Sequence, residues 1–407
     1  MKHSILSQTP QSLKLRFQLS PEESRLPGGD TLSAAERQQQ VMQNALDRYL
    51  QAEPQEYARP PQLKLLSESN LGLSFACEME FYPEVKLPEN LHLKLDVPVL
   101  AAPEQKEIQQ ALQGLQIRYG EQLLADRPAQ WGDVVLIDTL ATCLGQYLPG
   151  SARNQLLVVL DPAEKEDPFL AGLIGLSAGQ KTEINKPLSA DYPHAAWRGK
   201  PARYQVYLHQ VRALRIPPAE VLPSLLNESD LESLLAVIFE ELKASKTTAW
   251  RNQIRETLSE TLVAQSELNL PNGWVEGELA GRWKSEDETA LRQLQGLPQS
   301  EEILKKGLLN LKMLPHLQQE ASQALKTRLV LRAVAEREGI TLEQPELEQL
   351  FQALNPERPV KEIVAQLKQG PELGVLLGVW LSGKVMNHLL SRAEIRSGGE
   401  VIQTGQA

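Results

Sequence analysis

The predominant spacing of apolar residues changes near residue 216, and that change constrains the fold more than any other sequence feature. Up to about residue 215, short segments alternate apolar and polar residues, as in SLKLRFQL at 12–19 and ARYQVYLHQV at 202–211, which predicts half-buried strands. From 218 to 395 apolar residues recur every three or four positions, as in LESLLAVIFEELKAS at 231–245, which predicts amphipathic helices. The sequence therefore predicts a multidomain α+β protein.

Proline and glycine breaks divide these patterns into five predicted segments. They are a small α+β unit at 1–88, a connector with a helix at 89–128, an antiparallel β domain with a short helix at 129–215, a large all-helical domain at 216–395 and a flexible Gly-rich tail at 396–407. The first unit is predicted as strand, helix, strand, strand. Its helix is expected over Thr31–Leu50 with Asp30 or Thr31 as its cap, and the connector helix is expected to begin at Pro103 and to extend to Leu124.

Composition excludes several function classes. A chain of 407 residues with a net charge of -10 has no excess of positive charge with which to bind phosphate backbones, so we do not expect nucleic acid as a ligand. Its two cysteines, Cys77 and Cys143, stand in apolar contexts without metal-ligand spacing, so we expect buried thiols in a reducing compartment and no metal. The sequence has no nucleotide-binding glycine motif, which indicates no ATP and no cofactor.

Targeting signals are also missing from the sequence as given. The first 17 residues have no continuous apolar run or small-residue cleavage site, so we expect no secretory signal. The longest apolar stretch, at 376–381, is far shorter than the roughly 20 residues that span a bilayer. We expect a cytoplasmic protein without a membrane partner.

Seven strings, in order along the chain, resemble bacterial trigger factors, which are polypeptide-binding folding chaperones. They are FACEMEFYPEVKLPENLHLKLDVP (75–98), WGDVVLID (131–138), FLAGLIGLSAGQK (169–181), DYPHAAWRGKPARYQV (191–206), LNLPNGWVEGEL (268–279), LKTRLVLRAVAEREGITL (325–342) and KVMNHLLSRAEI (384–395). The resemblance covers residues 12–395. It implies a shortened ribosome-binding-like domain, a connector, an FKBP-type prolyl isomerase domain and a C-terminal chaperone domain, in that order.

The resemblance carries Phe169, Tyr192 and Tyr204 onto aromatic positions of the isomerase pocket, where they would hold a prolyl ring. Two other pocket positions depart from the family. Thr139 replaces a phenylalanine after Ile-Asp, and Glu166 stands where an apolar residue precedes the Pro-Gly-Phe turn. A carboxylate at an apolar rim costs desolvation when a peptide binds, so we expect weak or absent isomerase activity.

The three aromatic residues have a second interpretation of equal weight, as packing residues of a small barrel-like sheet. Two polar residues nearby suggest a catalytic site, but neither is given that role. Asp138 has no partner within its motif, and a single histidine in a turn, His194, is more often a surface residue.

The family's ribosome-docking loop, Gly-Phe-Arg-x-Gly-Lys, is missing. The chain passes from the strand through SPEESRLPGGD directly into the helix, and Arg25 is flanked by acidic residues. We interpret Arg25 as a solvated loop charge rather than a ribosome contact, so the family's usual docking on the ribosome is not expected.

Unfolded or nascent polypeptides are the expected partners, bound on apolar side chains of the helical domain. The candidates are Leu308, Leu309, Met313, Leu314, Leu317, Leu376, Leu377 and Trp380. For each, the competing interpretation is buried core, because a stripe at helical spacing usually faces the interior. Pro315 is expected to kink or split its helix.

Three function classes remain open from the sequence. We rank an ATP-independent holdase first and an assembly factor dedicated to one complex second, because the ribosome loop is missing. An isomerase with a helical appendage is third, since Thr139 and Glu166 weigh against it.

Overall fold

A computed structural model of the chain was analysed. It describes residues 1–25, 33–54, 57–58, 61–69, 72–271, 273–294, 297, 299–356, 358–367 and 372–402.

The N-terminal part is a four-stranded antiparallel sheet covered on one face by one helix. Its elements are β1 (Lys2–Thr9), β2 (Ser12–Leu19), α1 (Ala34–Ala52), β3 (Gln62–Ser69) and β4 (Gly72–Glu80), with the strands in the order β1-β2-β4-β3. Alternate residues of β2 and β4, such as Phe17 and Phe75, stack beneath α1 and are fully buried. This alternation is why the segments form strands with one face in a core.

Two details of this part differ from the sequence expectation. The predicted strand, helix, strand, strand order missed β1, because KHSILSQT lies at the sheet edge with every residue exposed and lacks a clear alternation. The helix α1 is capped by Ser33 in a capping box with Glu36, two or three residues later than predicted. The proposed caps, Asp30 and Thr31, lie outside the described residues.

The middle part is an antiparallel sheet built around the long strands β7 and β11. It contains β6 (Glu121–Leu124), β7 (Asp133–Cys143), β8 (Gln146–Tyr147), β9 (Arg153–Val159), α3 (Pro168–Ala171), β10 (Lys181–Pro187) and β11 (Pro201–Arg215). The path is β10-β11-β7-β8, with β6 paired to β11 and β9 paired to β7. The strand predicted at 202–211 is present within β11. The predicted connector helix is shorter than expected, since α2 (Gln105–Arg118) ends before Gly120 and the next residues join the sheet as β6.

Helices make up the rest of the chain, apart from three short strands. The helices are α4 (Leu222–Leu226), α5 (Leu231–Ala264), α6 (Trp274–Arg282), α7 (Thr289–Gln293), α8 (Gln299–Lys312), α9 (Pro315–Glu338), α10 (Gln344–Leu354), α11 (Val360–Leu367) and α12 (Glu372–Arg392). A π-helical turn, Trp283–Glu288, joins α6 to α7. The expected break at Pro315 is present, because this proline is the first residue of α9 and separates it from α8.

The main helical core also encloses the connector and the C-terminal segment. Strand β5 (Lys94–Val97) pairs in parallel with β12 (Glu394–Ser397), and β13 (Glu400–Ile402) pairs with β12. Leu95 and Ile395 are buried together with residues of α5, α9 and α12. The predicted flexible tail at 396–407 is therefore partly wrong: residues up to 402 include strand residues, and 403–407 lie outside the described residues.

Candidate functional site

Aromatic residues at the positions predicted for the prolyl pocket cluster on one face of the middle sheet, and we call the surface that they form the aromatic cleft. Phe169 of α3 and Tyr204 of β11 meet edge to face with ring centroids 5.1 Å apart. Tyr192, in the loop before β11, lies 6.0 Å from the buried ring of Trp197. Phe169, Tyr192 and Tyr204 are each half-buried, so each presents part of its ring outward. Trp197 belongs to the same cleft and was not singled out from the sequence.

One wall of the cleft is fixed by the start of α3. Asp167 caps this short helix by accepting the N–H of Phe169 at 2.7 Å, and its other oxygen accepts from Lys186 Nζ at 2.6 Å. Burial opposes ionisation of Asp167, but the Lys186 and Phe169 hydrogen bonds outweigh it and lower the pKa of this carboxyl. The charged carboxylate therefore holds Phe169 in place at the edge of the cleft.

The two departures from the isomerase pattern occupy different environments. Thr139 is buried in β7 opposite Val206 of β11, and among the described residues its Oγ1 has no hydrogen-bond partner. Alternation places Thr139 on the same face of the sheet as Ile137, which packs in the cluster that Phe169 and Tyr204 join. Glu166 is exposed in the turn before α3. Thr139 is thus a buried polar residue on the face of the sheet that carries the aromatic residues, and Glu166 is an exposed carboxylate three residues before Phe169.

The two polar residues considered in the sequence are both packed. Asp138 is fully buried and accepts from the Gln155 N–H at 2.8 Å, with His209 Nε2 2.9 Å away. Its partners come from neighbouring strands, so its own motif could not reveal them. His194 is half-buried against Trp197, with ring centroids 4.7 Å apart. The expectation that His194 is a surface residue is therefore corrected.

The middle sheet docks on the helical part through a second cluster that sequence reasoning missed. Tyr147 donates to Asp287 of the π-helical turn at 2.5 Å, and the Gly150 N–H donates to the same oxygen at 2.8 Å. Trp283 packs edge to face on Tyr147. Burial raises the pKa of Asp287, although both hydrogen bonds act in the opposite direction. The segment WKSEDE gives no sign of this role, because its charges suggest a solvated helix surface.

The helical candidates for polypeptide binding divide into exposed and covered residues. On α8 and just after it, Leu309 and Met313 are 64% and 70% exposed. Leu308 and Leu317 are half-buried against the cluster of Tyr147 and Trp283. Leu314 is only 2% exposed, so it cannot bind a client in this arrangement and is removed from the candidate surface.

The candidates on α12 lie beside an exposed apolar face. Leu376, Leu377 and Trp380 are half-buried, and Trp380 packs edge to face on Phe351 of α10 at 4.9 Å. Their neighbours Val375 and Val379 are 65% and 61% exposed. Sequence reasoning missed these two valines. Their spacing of four residues on a helix would have been the signal.

The helix α12 also has the length and hydropathy of a membrane-spanning helix. Residues 373–392 are long and apolar enough to cross a membrane, with a mean hydropathy of 1.3, as core helices of soluble proteins also can be. Val385 and Leu389, in the second half of the helix, are fully buried in the main core. The sequence expectation that no apolar stretch approaches this length is therefore corrected.

The remaining predicted residue, Arg25, is exposed in the turn that follows β2, and its N–H donates to the Glu22 carbonyl. No group of three or more His, Cys, Asp or Glu side chains with metal-binding geometry occurs within the described ranges.

These features describe a multidomain α+β protein in which an antiparallel sheet with clustered aromatic residues is joined to a helical part with exposed apolar side chains. A family model for the C-terminus of the bacterial trigger factor protein matches residues 230–391. The trigger factor of Nocardia farcinica is 27% identical over 350 residues, covering 83% of this chain and 72% of that protein. That of Carboxydothermus hydrogenoformans is 27% identical over 352 residues, covering 80% of each.

The chain is a trigger factor-like chaperone, similar to bacterial trigger factors over about four fifths of its length. Its relatives favour this function over a dedicated assembly factor. Isomerase activity, a cytoplasmic location and binding of nascent or unfolded polypeptides are features of the family. A solved structure of a trigger factor chaperone, described as recognising substrates promiscuously in folding and assembly, overlaps 96% of this chain and 99% of that chain, with a TM-score of 0.35 and 18% identity.

Proposed function

We propose that this protein is a cytoplasmic, ATP-independent holdase that binds unfolded or nascent polypeptides on its helical domain, with weak or absent prolyl isomerase activity. The observation that supports the holdase is the exposed apolar surface formed by Leu309 and Met313 near the end of α8 and by Val375 and Val379 on α12. Clustered apolar side chains left in water on a folded protein are typical of binding surfaces. Covering them with client side chains gains roughly 25 cal/mol per Å².

Only part of that energy becomes affinity, because a client loses freedom of motion when it binds. We therefore expect micromolar affinities and fast release. Because apolar contacts are insensitive to screening, client binding should depend little on salt. A grip that fades strongly with increasing salt would point to a charge-driven mode instead.

Suppression of the aggregation of an unfolded model protein, without nucleotide, tests the holdase function. Leu309→Ser and Met313→Ser should each reduce protection without lowering the melting temperature, since both side chains are exposed. Leu314→Ser is the matched control on the same segment. It should lower the melting temperature because it places a hydroxyl in a buried apolar cluster. An intact protein that protects no client at any stoichiometry would remove the holdase function.

Weak isomerase activity is supported by the polar floor and rim of the cleft, Thr139 and Glu166. The full chain should accelerate prolyl exchange in a tetrapeptide little beyond the uncatalysed time of tens to hundreds of seconds. Thr139→Phe combined with Glu166→Ile should raise the rate, because the two substitutions restore an apolar cup. Robust turnover by the unmodified chain would contradict this part of the proposal.

Ribosome docking by the family's usual contact is not part of the proposed function. Arg25, the basic residue nearest the missing loop, lies among the acidic residues Glu22 and Glu23. Sedimentation with purified non-translating ribosomes should show weak binding, unchanged by Arg25→Ala. Saturable binding that Arg25→Ala abolishes would show that this turn docks after all.

A further inference from the structure

The connection between α8 and α9 packs against the aromatic cleft of the middle sheet. We call residues 313–317 the corner. Leu314, in the corner, is buried in one cluster with Cys143 and Trp197 of the middle sheet, and Tyr192 and Tyr204 pack against this cluster. Leu317, also in the corner, joins the same cluster. Two of the three pocket aromatics are thus partly covered by another domain of the same chain.

Ring contacts extend this covering to the mouth of the cleft. The rings of His194 and His316 lie 5.6 Å apart, with His316 in the corner and His194 in the loop that carries Tyr192. The Nδ1 atom of His316 is buried and has no hydrogen-bond partner among the described residues. A buried polar atom without a partner costs free energy, so this contact excludes water but is imperfectly satisfied.

Phe169 stands outside this arrangement. The cluster it joins consists only of residues from the middle sheet and its loops, between Ala125 and Val211. Its half-buried ring is therefore covered only by the middle sheet, whereas the cluster that Tyr192 and Tyr204 join also contains Leu314 of the corner. The cleft has an open end at Phe169 and a closed end at the corner.

We propose that the corner acts as an internal occupant of the aromatic cleft. A proline-containing client segment first meets Phe169 and reaches Tyr192 and Tyr204 only when the corner leaves. Client binding in the cleft and docking of the helical domain on this face are then mutually exclusive. The inference rests on the proposed function, because it describes how the cleft of a polypeptide-binding protein is regulated.

The binding test uses the full-length protein and a fluorescent tetrapeptide that contains one proline. Leu314→Asp introduces a charge that favours water and should release the corner, so we expect at least a tenfold lower Kd for the peptide than in the wild type. Gln319→Asp is the matched control, because it adds the same charge to an exposed site on α9 and should leave Kd unchanged. Circular dichroism and thermal melting establish that each variant is folded.

A second variant loosens the neighbouring contact between the middle sheet and the π-helical turn, and guards against misfolding of Leu314→Asp. Asp287→Ala removes the acceptor of Tyr147 and of the Gly150 N–H, so the peptide should bind several-fold more tightly. In the wild type, saturating peptide should accelerate hydrogen exchange at Gly150, because that amide donates across the domain contact.

The proposal would be overturned if the wild type, Leu314→Asp and Asp287→Ala bound the peptide with equal affinity and hydrogen exchange at Gly150 were unchanged. It would also be overturned if none of the three proteins bound the peptide. Aggregation suppression is a separate measurement. If Leu314→Asp binds peptide tightly while the chain protects no client, the holdase function fails and the regulated cleft stands. If instead the chain protects clients but Leu314→Asp does not bind the peptide more tightly, the holdase function stands and the corner does not occupy the cleft.

Discussion

At the scale of single residues, a hydroxyl at the floor of the cleft is an unpaired polar group. Thr139 lies between β11 and β9 with Oγ1 buried and no partner within the described part of the chain. Its backbone is secured by the sheet, so the side chain alone carries the cost. The resemblance identified Thr139 as unusual, but only the packing shows that its hydroxyl is unsatisfied.

Thr139→Val should stabilise the protein by roughly 1 kcal/mol, because it replaces an unpaired hydroxyl with a methyl group of the same shape. Urea unfolding measures this as a raised midpoint with an unchanged slope. Thr142→Val on the same strand is the control and should change little, since Thr142 is only half-buried. A loss of stability at position 139 would mean that Oγ1 has a partner, such as a water molecule.

The carboxyl of Asp287 gives a prediction for pH. Burial raises its pKa above the ordinary value, so the folded protein binds this proton more tightly than the unfolded chain does. The stabilisation is present below the unfolded pKa of about 3.9 and is lost as pH rises through the folded pKa. Asp287→Asn should remove this dependence.

Unfolding free energies of the wild type and Asp287→Asn, measured at intervals from pH 4 upward, give the comparison. The wild type should lose stability relative to the variant as pH rises over that window. A difference that stays constant with pH would show that Asp287 titrates normally in the folded protein.

At the scale of elements, strands and helices with one buried face could be predicted from the sequence. The strands β2 and β11 and the break before α9 followed from alternation and from Pro315. Strand β1 could not be predicted, because an exposed edge has no buried face to impose a pattern. Leu314 and Leu309 share one apolar stripe in the sequence, and only tertiary contacts separate the buried residue from the exposed one.

Packing of α8 against the π-helical turn depends on the absence of a side chain. A Cβ at Gly307 would lie 2.0 Å from Cη2 of Trp283, and an indole held between elements cannot move aside easily. Gly307→Ala should therefore destabilise the protein by about 1 to 3 kcal/mol, although alanine favours a helix. Thermal melting measures the loss.

Gly383→Ala is the matched control, because Gly383 lies within α12 and an added Cβ meets nothing within 4 Å. Here helix propensity alone acts, and stability should rise by about 0.5 to 1 kcal/mol. If both glycines respond alike, the contact with Trp283 does not limit packing at Gly307.

At the scale of the whole molecule, the parallel pairing of β5 with β12 joins the connector to the C-terminal segment. Ile395 is almost fully buried beside Leu95 in the main core. No local sequence feature predicts this pairing, because the two four-residue strands are separated by most of the chain. Composition favoured a frayed end, and a long-range contact overrides it.

Ile395→Ala should destabilise the helical part by about 2 to 5 kcal/mol, as expected for truncating a buried isoleucine. Val401→Ala is the control on β13 and should cost little, since Val401 is 60% exposed. Urea unfolding of both variants distinguishes the two sites. Equal, small effects would show that the C-terminal segment is not part of the core.

The pairing of β5 with β12 also determines when β5 can be covered during synthesis of the chain. Lys94 is translated 300 residues before its partner Glu394, which corresponds to roughly 15 to 60 s at bacterial elongation rates of 5 to 20 residues per second. During that delay the apolar side of the connector has no strand to cover it. For up to about a minute of its own synthesis, the nascent protein therefore exposes an apolar segment of the type that unfolded chaperone clients expose.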